Sequence, residues 1–430
     1  MRSITRSIGP AVALAAGALG SVTHAAGFGV IEQSASGLGA AFAGSAAQVN
    51  DASVQYFNPA GLALIERAEV SAAVHALDVG LEFTDSGSTL PPAGLGALPR
   101  GATRDDAGDT LFVPNLHVAY PFAPGLVAGL SVSVPYGLKT EYSDPWVGRF
   151  QGLFSELKTL NVNPAIAWKL SDQVSLGVGA SWQKAEAELT NAVMLGAATE
   201  GRARLKGDDS AWGWNAGVLL TPHESMRIGV GYRSRIDYNL TGDAAVTTVA
   251  GAPVAAASGP ASVAIDMPEQ GYFSLAQKFG DRFTLLADAS FTSWGRVDEL
   301  RVLNPGNGAT RDLLTFNFRD TWRFALGGEY VLDERWTLRA GAALDESPVP
   351  DGARNVRLPD QDRTWVTVGA QWRMNERFRF DAGYAHLFVK DATVSLARPQ
   401  LGGPASFTSV VNGKYESSVN IFSLQLSYSL

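Results

Sequence analysis

From about Glu66 to the C-terminus, apolar and polar residues alternate with a period of two. Phe422, Leu424, Leu426, Tyr428 and Leu430 alternate with Ser423, Gln425, Ser427 and Ser429. Val174, Leu176, Val178, Ala180 and Trp182 do the same against Ser175, Gly177, Gly179, Ser181 and Gln183. This period predicts strands with one apolar face and one face of polar or very small residues. About fourteen such segments are predicted, at roughly 67–83, 110–121, 126–139, 157–170, 173–189, 209–221, 226–240, 263–279, 282–294, 320–332, 335–345, 363–374, 377–390 and 417–430. Short connections at 121–125, 171–172, 222–225, 280–281, 333–334 and 375–376 alternate with long ones at 84–109, 140–156, 190–208, 241–262, 295–319, 346–362 and 391–416.

Sorting of loops by length onto two ends is the mark of an up-and-down barrel in an outer membrane, with short periplasmic turns and long external loops. A soluble sandwich has no reason for it. The prediction is therefore an all-β protein, a transmembrane antiparallel barrel of about 14 strands over residues 67–430. Its apolar face turns to lipid, and Gly, Ser, Thr, Asn, Gln and Arg turn to the lumen. Trp168, Trp182, Trp212, Trp214, Trp294, Trp322, Trp336, Trp365 and Trp372 lie in or near strand ends, as expected of aromatic girdles. Residues 26–66 do not alternate and are rich in Ala, Ser and Gly. A barrel of this size is too wide for its own side chains to fill, so this stretch is expected to be a plug in the lumen.

Composition narrows the compartment. The first 25 residues carry Arg2 and Arg6, a short apolar stretch from Ile8 to Leu19 and Thr23-His24-Ala25, which is the pattern of a secretory signal peptide. The chain has 430 residues, 46% hydrophobic, 18% charged and without Cys. An exported protein without disulfides must be held by packing or backbone pairing. Loss of the two leader arginines takes the formal charge from −8 to −10, a poor balance for binding nucleic acid. After residue 25 there is no apolar run of 18 or more residues, so any membrane crossing is made by strands. No G-x-S-x-G, H-E-x-x-H or P-loop motif is present, and four scattered histidines remain at 75, 117, 223 and 386. An enzyme, a metal site and a cofactor are therefore not expected.

Several motifs carry a resemblance. Ala26-Gly27-Phe28, Ser36-Gly37-Leu38-Gly39 and Asn58-Pro59-Ala60 resemble the hatch of the FadL outer-membrane long-chain fatty acid transporters. Val113-Pro114-Asn115-Leu116-His117, Tyr136-Gly137-Leu138, Gly213 to Gly217 and Thr292-Ser293-Trp294 continue it in order along the chain. The most specific stretch is Ser347-Pro348-Val349-Pro350 followed by Pro359-Asp360-Gln361-Asp362-Arg363. The resemblance implies a 14-stranded monomeric barrel in a Gram-negative outer membrane, with an N-terminal hatch. It also implies passive uptake of long-chain fatty acids or similar hydrophobic compounds. Other members carry monoaromatic hydrocarbons, and a plugged receptor or adhesin is the alternative outside transport.

Four sets of residues are candidates for the function. In the 140–156 loop, Asp144-Pro145 resembles a helix start, and Trp146, Phe150, Leu153, Phe154 and Leu157 follow at helical spacing. One apolar helix face there predicts an external capture groove. Parity places Arg319, Arg323, Arg233, Arg339 and Arg379 inside, beside Asp288, Glu329 and Asp381, and arginine suits bidentate capture of a carboxylate. The resemblance places Asp360, Asp362 and Arg363 near the binding region, although parity points both Asp outward. The family's basic carboxylate-binding position is occupied here by Leu189 or a neighbour, which favours an apolar cargo. Finally, Pro135 and Gly137 interrupt a strand. The resemblance makes Pro135-Tyr136-Gly137 a lateral gap toward the membrane, with Phe28 and Asn58-Pro59-Ala60 of the hatch moving against it.

Overall fold

The computed structural model describes residues 27–91, 98–196, 199–400 and 407–430. The expected leader and Ala26 lie outside the described residues. Fourteen long strands follow one another around the wall: β1 Glu69–Asp85, β2 Thr110–Ala123, β3 Leu126–Ser133 continued by Gly137–Glu141, β4 Phe154–Lys169, β5 Val174–Gly196, β6 Thr199–His223 and β7 Met226–Arg233 continued by Ile236–Thr248. The circuit goes on through β8 Gly259–Met267 continued by Gln270–Phe279, β9 Phe283–Thr292, β10 Thr321–Val331, β11 Trp336–Asp345, β12 Arg363–Arg373, β13 Phe378–Val389 and β14 Thr408–Ser429. Each is antiparallel to the next, and β14 closes the barrel on β1 from Glu69 opposite Ser429 to Asp85 opposite Gly413. No described helix is long and apolar enough to cross a membrane.

The alternation works as expected. Trp322, Phe324 and Leu326 of β10 are exposed, as are Val366 and Val368 of β12, while their neighbours Arg323, Ala325 and Thr367 are buried. An exposed apolar row on a closed barrel requires lipid as its solvent.

Some expectations fail for physical reasons. The stretches 190–208 and 241–262 are largely strand, because β5 and β6 stay paired up to Gly196 opposite Thr199 and β7 runs on to Thr248. Beyond the bilayer the outward face meets water instead of lipid, so Glu188, Arg204 and Lys206 end the apolar row without ending the ladder. The 295–319 stretch likewise contains a hairpin of Glu299–Leu303 against Thr310–Thr315. Trp294 and Trp365 do not join a girdle, since both are buried inside. The outward parity of Val366 and Val368 forces Trp365 inward, where the Arg323 guanidinium lies 5.0 Å from its ring.

Residues 27–66 pack against the inward wall. Two short helices, α1 Ala35–Leu38 and α2 Val54–Phe57, and a 3-10 turn at Pro59–Leu64 supply little regular structure. Ser34 Oγ accepts from Gly37 N and caps α1. Contact is made backbone to backbone, at inward glycines. A Cβ on Gly229 would lie 1.9 Å from the Ala46 oxygen, and one on Gly231 would lie 1.9 Å from the Phe57 oxygen, so only glycine fits at this approach. Charges complete the wall: Arg339 bridges Glu329 (2.7 Å) and Asp381 (2.6 Å), and Glu329 also accepts from Gln48 and Asn50 of the N-terminal segment.

Candidate functional site

The wall has a break in β3. Against β4 the register runs from Ser133 opposite Asn161 to Gly137 opposite Lys158. Four steps on β3 therefore face three on β4, and Val134-Pro135-Tyr136 bulges. Thr159 Oγ1 absorbs the extra peptide, accepting from Tyr136 N (2.9 Å) and donating to Tyr136 O (2.6 Å). On the other edge, β2 pairs with β3 only from Leu116 opposite Val132 downward. Residues 110–115 of β2 have no β3 partner among the described residues, which leaves a gap.

The N-terminal segment closes that gap as a makeshift strand. Val30 N donates to Pro135 O (2.8 Å) and Gly137 N donates to Phe28 O (2.8 Å). From the other side, Asn115 Nδ2 donates to Glu32 O (2.6 Å) and His117 Nε2 lies 3.2 Å from Gln33 O. Residues 28–32 thus join β2 to β3 where the two do not join each other, and Gln33 meets His117 at the start of their paired stretch. The Phe28 ring stands edge-on to Trp294 at 4.6 Å and 6.3 Å from Tyr136. Tyr136 Oη is fixed by Pro268 O at 3.0 Å.

Above this closure lies an apolar cavity of about 100 Å³ lined by Phe28, Leu138, Leu157, Leu189, Leu240, Ile265, Phe316 and Leu358, with Glu156, Lys206 and Arg357 at its edges. It is smaller than the roughly 150 Å³ that holds a benzene, so a larger guest must displace a lining side chain. A second cavity, of about 300 Å³ and mixed polarity, is lined by Phe150, Met194, Arg311, Asp312 and Arg398 and shares Leu205 with the first.

The family described as outer membrane protein transport protein (OMPP1/FadL/TodX) matches residues 16–430 of the chain. The chain belongs to this family. A long-chain fatty acid transport protein of Escherichia coli is 29% identical over 412 residues, covering 88% of this chain and 90% of that protein. Two solved structures share the fold: a Pseudomonas aeruginosa FadL homologue (TM-score 0.86, 23% identity, 94% and 100% coverage) and the Ralstonia pickettii toluene transporter TbuX (TM-score 0.65, 18% identity, 94% and 99% coverage). Membership places this barrel in the outer membrane.

In this family member, the candidate residues fall into separate places. Phe28, Pro135, Tyr136 and Gly137 meet at the break. Asn58-Pro59-Ala60 does not, which corrects the expectation. Asn58 Nδ2 donates to Ala46 O (2.7 Å) and Val218 O (3.0 Å), and Asn58 Oδ1 caps the 3-10 turn at Ala60 N. It is therefore held against β6, and Pro59 and Ala60 abut Gly177 of β5.

The 140–156 loop forms no helix. Trp146 is fully buried, stacked on Tyr142 at 4.0 Å and donating from Nε1 to Gly152 O. Phe150 and Leu153 are also buried, and Phe154 begins β4. These apolar residues bind loops to one another, because a Tyr-Trp stack buries more ring surface than a helix face left in water. No exposed capture face remains among them.

The basic candidates are similarly occupied. Arg323 is inward as predicted and donates to Ala41 O. Arg319 precedes β10, has a side chain 58% exposed, and lies 3.5 Å from Asp362. Asp360 is buried despite its parity, because β12 starts only at Arg363. It accepts from Gly27 N (2.9 Å) and Ser347 Oγ (2.7 Å) and pairs with Arg363, so it fastens the start of the N-terminal segment. None of these five lines the apolar cavity as described. Sequence reading missed Arg357, Phe316 and Leu358. The alternation of Leu314, Phe316 and Phe318 was the available signal.

Proposed function

We propose that this barrel takes up long-chain fatty acids or similar hydrophobic compounds by passive diffusion. The cargo enters among the external loops, occupies the apolar cavity, shifts residues 28–33 and leaves through the β2–β3 gap into the membrane. The observation that carries this reading is the double position of Phe28, whose ring lines the cavity and whose carbonyl accepts from Gly137 across the break. Monoaromatic hydrocarbon uptake is the second reading, favoured by the small size of the cavity. Uptake of labelled oleate and labelled toluene by a deletion strain, with and without the restored gene, tests both. Gene-dependent oleate uptake is the expected result. Dependence of toluene uptake alone reverses the ranking, and dependence of neither leaves the receptor or adhesin role.

A further inference from the structure

Among the described residues, Leu205 of β6 alone lines both the apolar cavity and the outer one. The inward residues on either side of it along the strand are small: Ala203 lines the outer cavity and Gly207 the inner one. The neighbouring strands cross the same boundary at this level. β5 passes from Leu189 on the inner cavity to Asn191 on the outer, and β7 from Gly242 to Ala244. Leu205 stands opposite Leu189 on one edge and Ala244 on the other, so β6 is fixed in its ladder and its backbone cannot withdraw here. The side chain can. It packs on a small cluster of its own, Ala244, Ala261 and Val302, and is only half-buried although its strand neighbours Arg204 and Lys206 take the outward face. An inward leucine that is half-buried has open space beside it in place of packed atoms. Ala203 and Gly207 leave that space along the strand, so a swing from one staggered rotamer to another meets no bulky side chain on β6.

We propose that Leu205 is a movable partition that sets the length of cargo the barrel holds. With the side chain in place, a guest in the inner cavity has about 100 Å³ to itself; with it swung aside, the same guest extends into the outer cavity of about 300 Å³. Each methylene that passes the partition is taken out of water, whereas a rigid ring that stops short of it gains nothing from its movement. A long flexible chain therefore has a reason to displace Leu205 that a monoaromatic guest lacks. This rests on the uptake reading above and narrows its cargo to unbranched chains long enough to occupy both cavities as one site.

The test compares octanoate with palmitate, which share a headgroup and differ in length, binding to the full barrel in lipid nanodiscs and measured against empty nanodiscs. Leu205→Ala, which removes the partition, is expected to raise the preference for palmitate about tenfold, the gain of roughly two further methylenes, while octanoate moves by less than about twofold. Leu205→Phe, a larger side chain with less room to swing, is expected to lower that preference by a similar factor. A purely structural role predicts instead that each variant weakens both fatty acids alike. The two variants act in opposite directions, so if one fails to fold, as judged by its heat-shifted gel mobility, the other decides alone. A palmitate-to-octanoate ratio that neither variant changes overturns the partition. Binding of neither fatty acid to the unaltered barrel overturns the uptake reading with it.

Discussion

Gly29 forms an antiparallel bridge with Tyr136, flanked by the Val30-to-Pro135 and Phe28-to-Gly137 hydrogen bonds. In this arrangement the two residues form a non-hydrogen-bonded pair, the kind whose α-carbons approach most closely, at about 4.5 Å. Such a distance suits a disulfide. The chain has no Cys of its own, so a Gly29→Cys, Tyr136→Cys double variant carries a single possible cross-link. Oxidation is expected to stop uptake and reductant to restore it. Uptake indifferent to oxidation would mean that residues 28–33 stay in place during transport.

The inward glycines yield a second expectation. Gly229→Val drives a side chain into the Ala46 carbonyl, 1.9 Å from where its Cβ must lie. The ladder around Gly229 is intact, so the barrel should still form while the N-terminal segment is pushed off the wall. Planar-bilayer conductance is expected to rise and residues 40–50 to become protease-sensitive. A closed, protease-resistant variant would show that the segment adapts around the new side chain.

The Glu329–Arg339–Asp381 ladder is a matter of stability. Arg339→Met removes one charge and leaves two buried carboxylates without their cation, a change that typically costs about 3–5 kcal/mol. Urea unfolding in lipid vesicles should show the midpoint falling accordingly, although Gln48 and Asn50 still serve Glu329. An unchanged midpoint would assign the ladder no net contribution.

Glu32 makes the closure pH-sensitive. Burial, the largest influence, raises its carboxyl to about 7, against its own backbone hydrogen bond and the Arg323 and Arg363 charges, with Asp345 reinforcing the rise. The undocked carboxyl loses its proton near 4.5. Between these values the docked form holds a proton that the undocked form has lost, so docking weakens as pH rises, by at most about 1.4 kcal/mol per unit. The effect is complete above about pH 7. Hydrogen exchange of amides 28–33, corrected for intrinsic rate, should be faster at pH 8 than at pH 5.5, and Glu32→Gln should flatten the difference.

The barrel was legible because lipid on one side imposes a strict period of two, as Trp322 to Leu326 illustrate. Legibility ended where lipid does. In 190–208 no lipid imposes the alternation, and strand and loop have the same composition. The break was visible in Pro135 and Gly137, because both are defects in a ladder. Its closing partner was half visible: Phe28 was named, but Asn58 was misplaced, since its amide bonds to Val218 depend on folding at long range. Trp146 misled for a related reason. Helical spacing is shared by helices and by loops whose rings happen to stack, and Tyr142, the ring Trp146 stacks on, lies four residues before it.

The carbonyl of Phe28 is bound to Gly137 while its ring faces the cavity. On its β3 side the segment is held by only two backbone bonds among the described residues, that one and the bond from Val30 to Pro135. Net stabilisation from such bonds is about 1 kcal/mol apiece. The seam is therefore within reach of thermal motion, and the uptake proposed above requires no more than a guest's own tendency to leave water, with no energised partner across the periplasm.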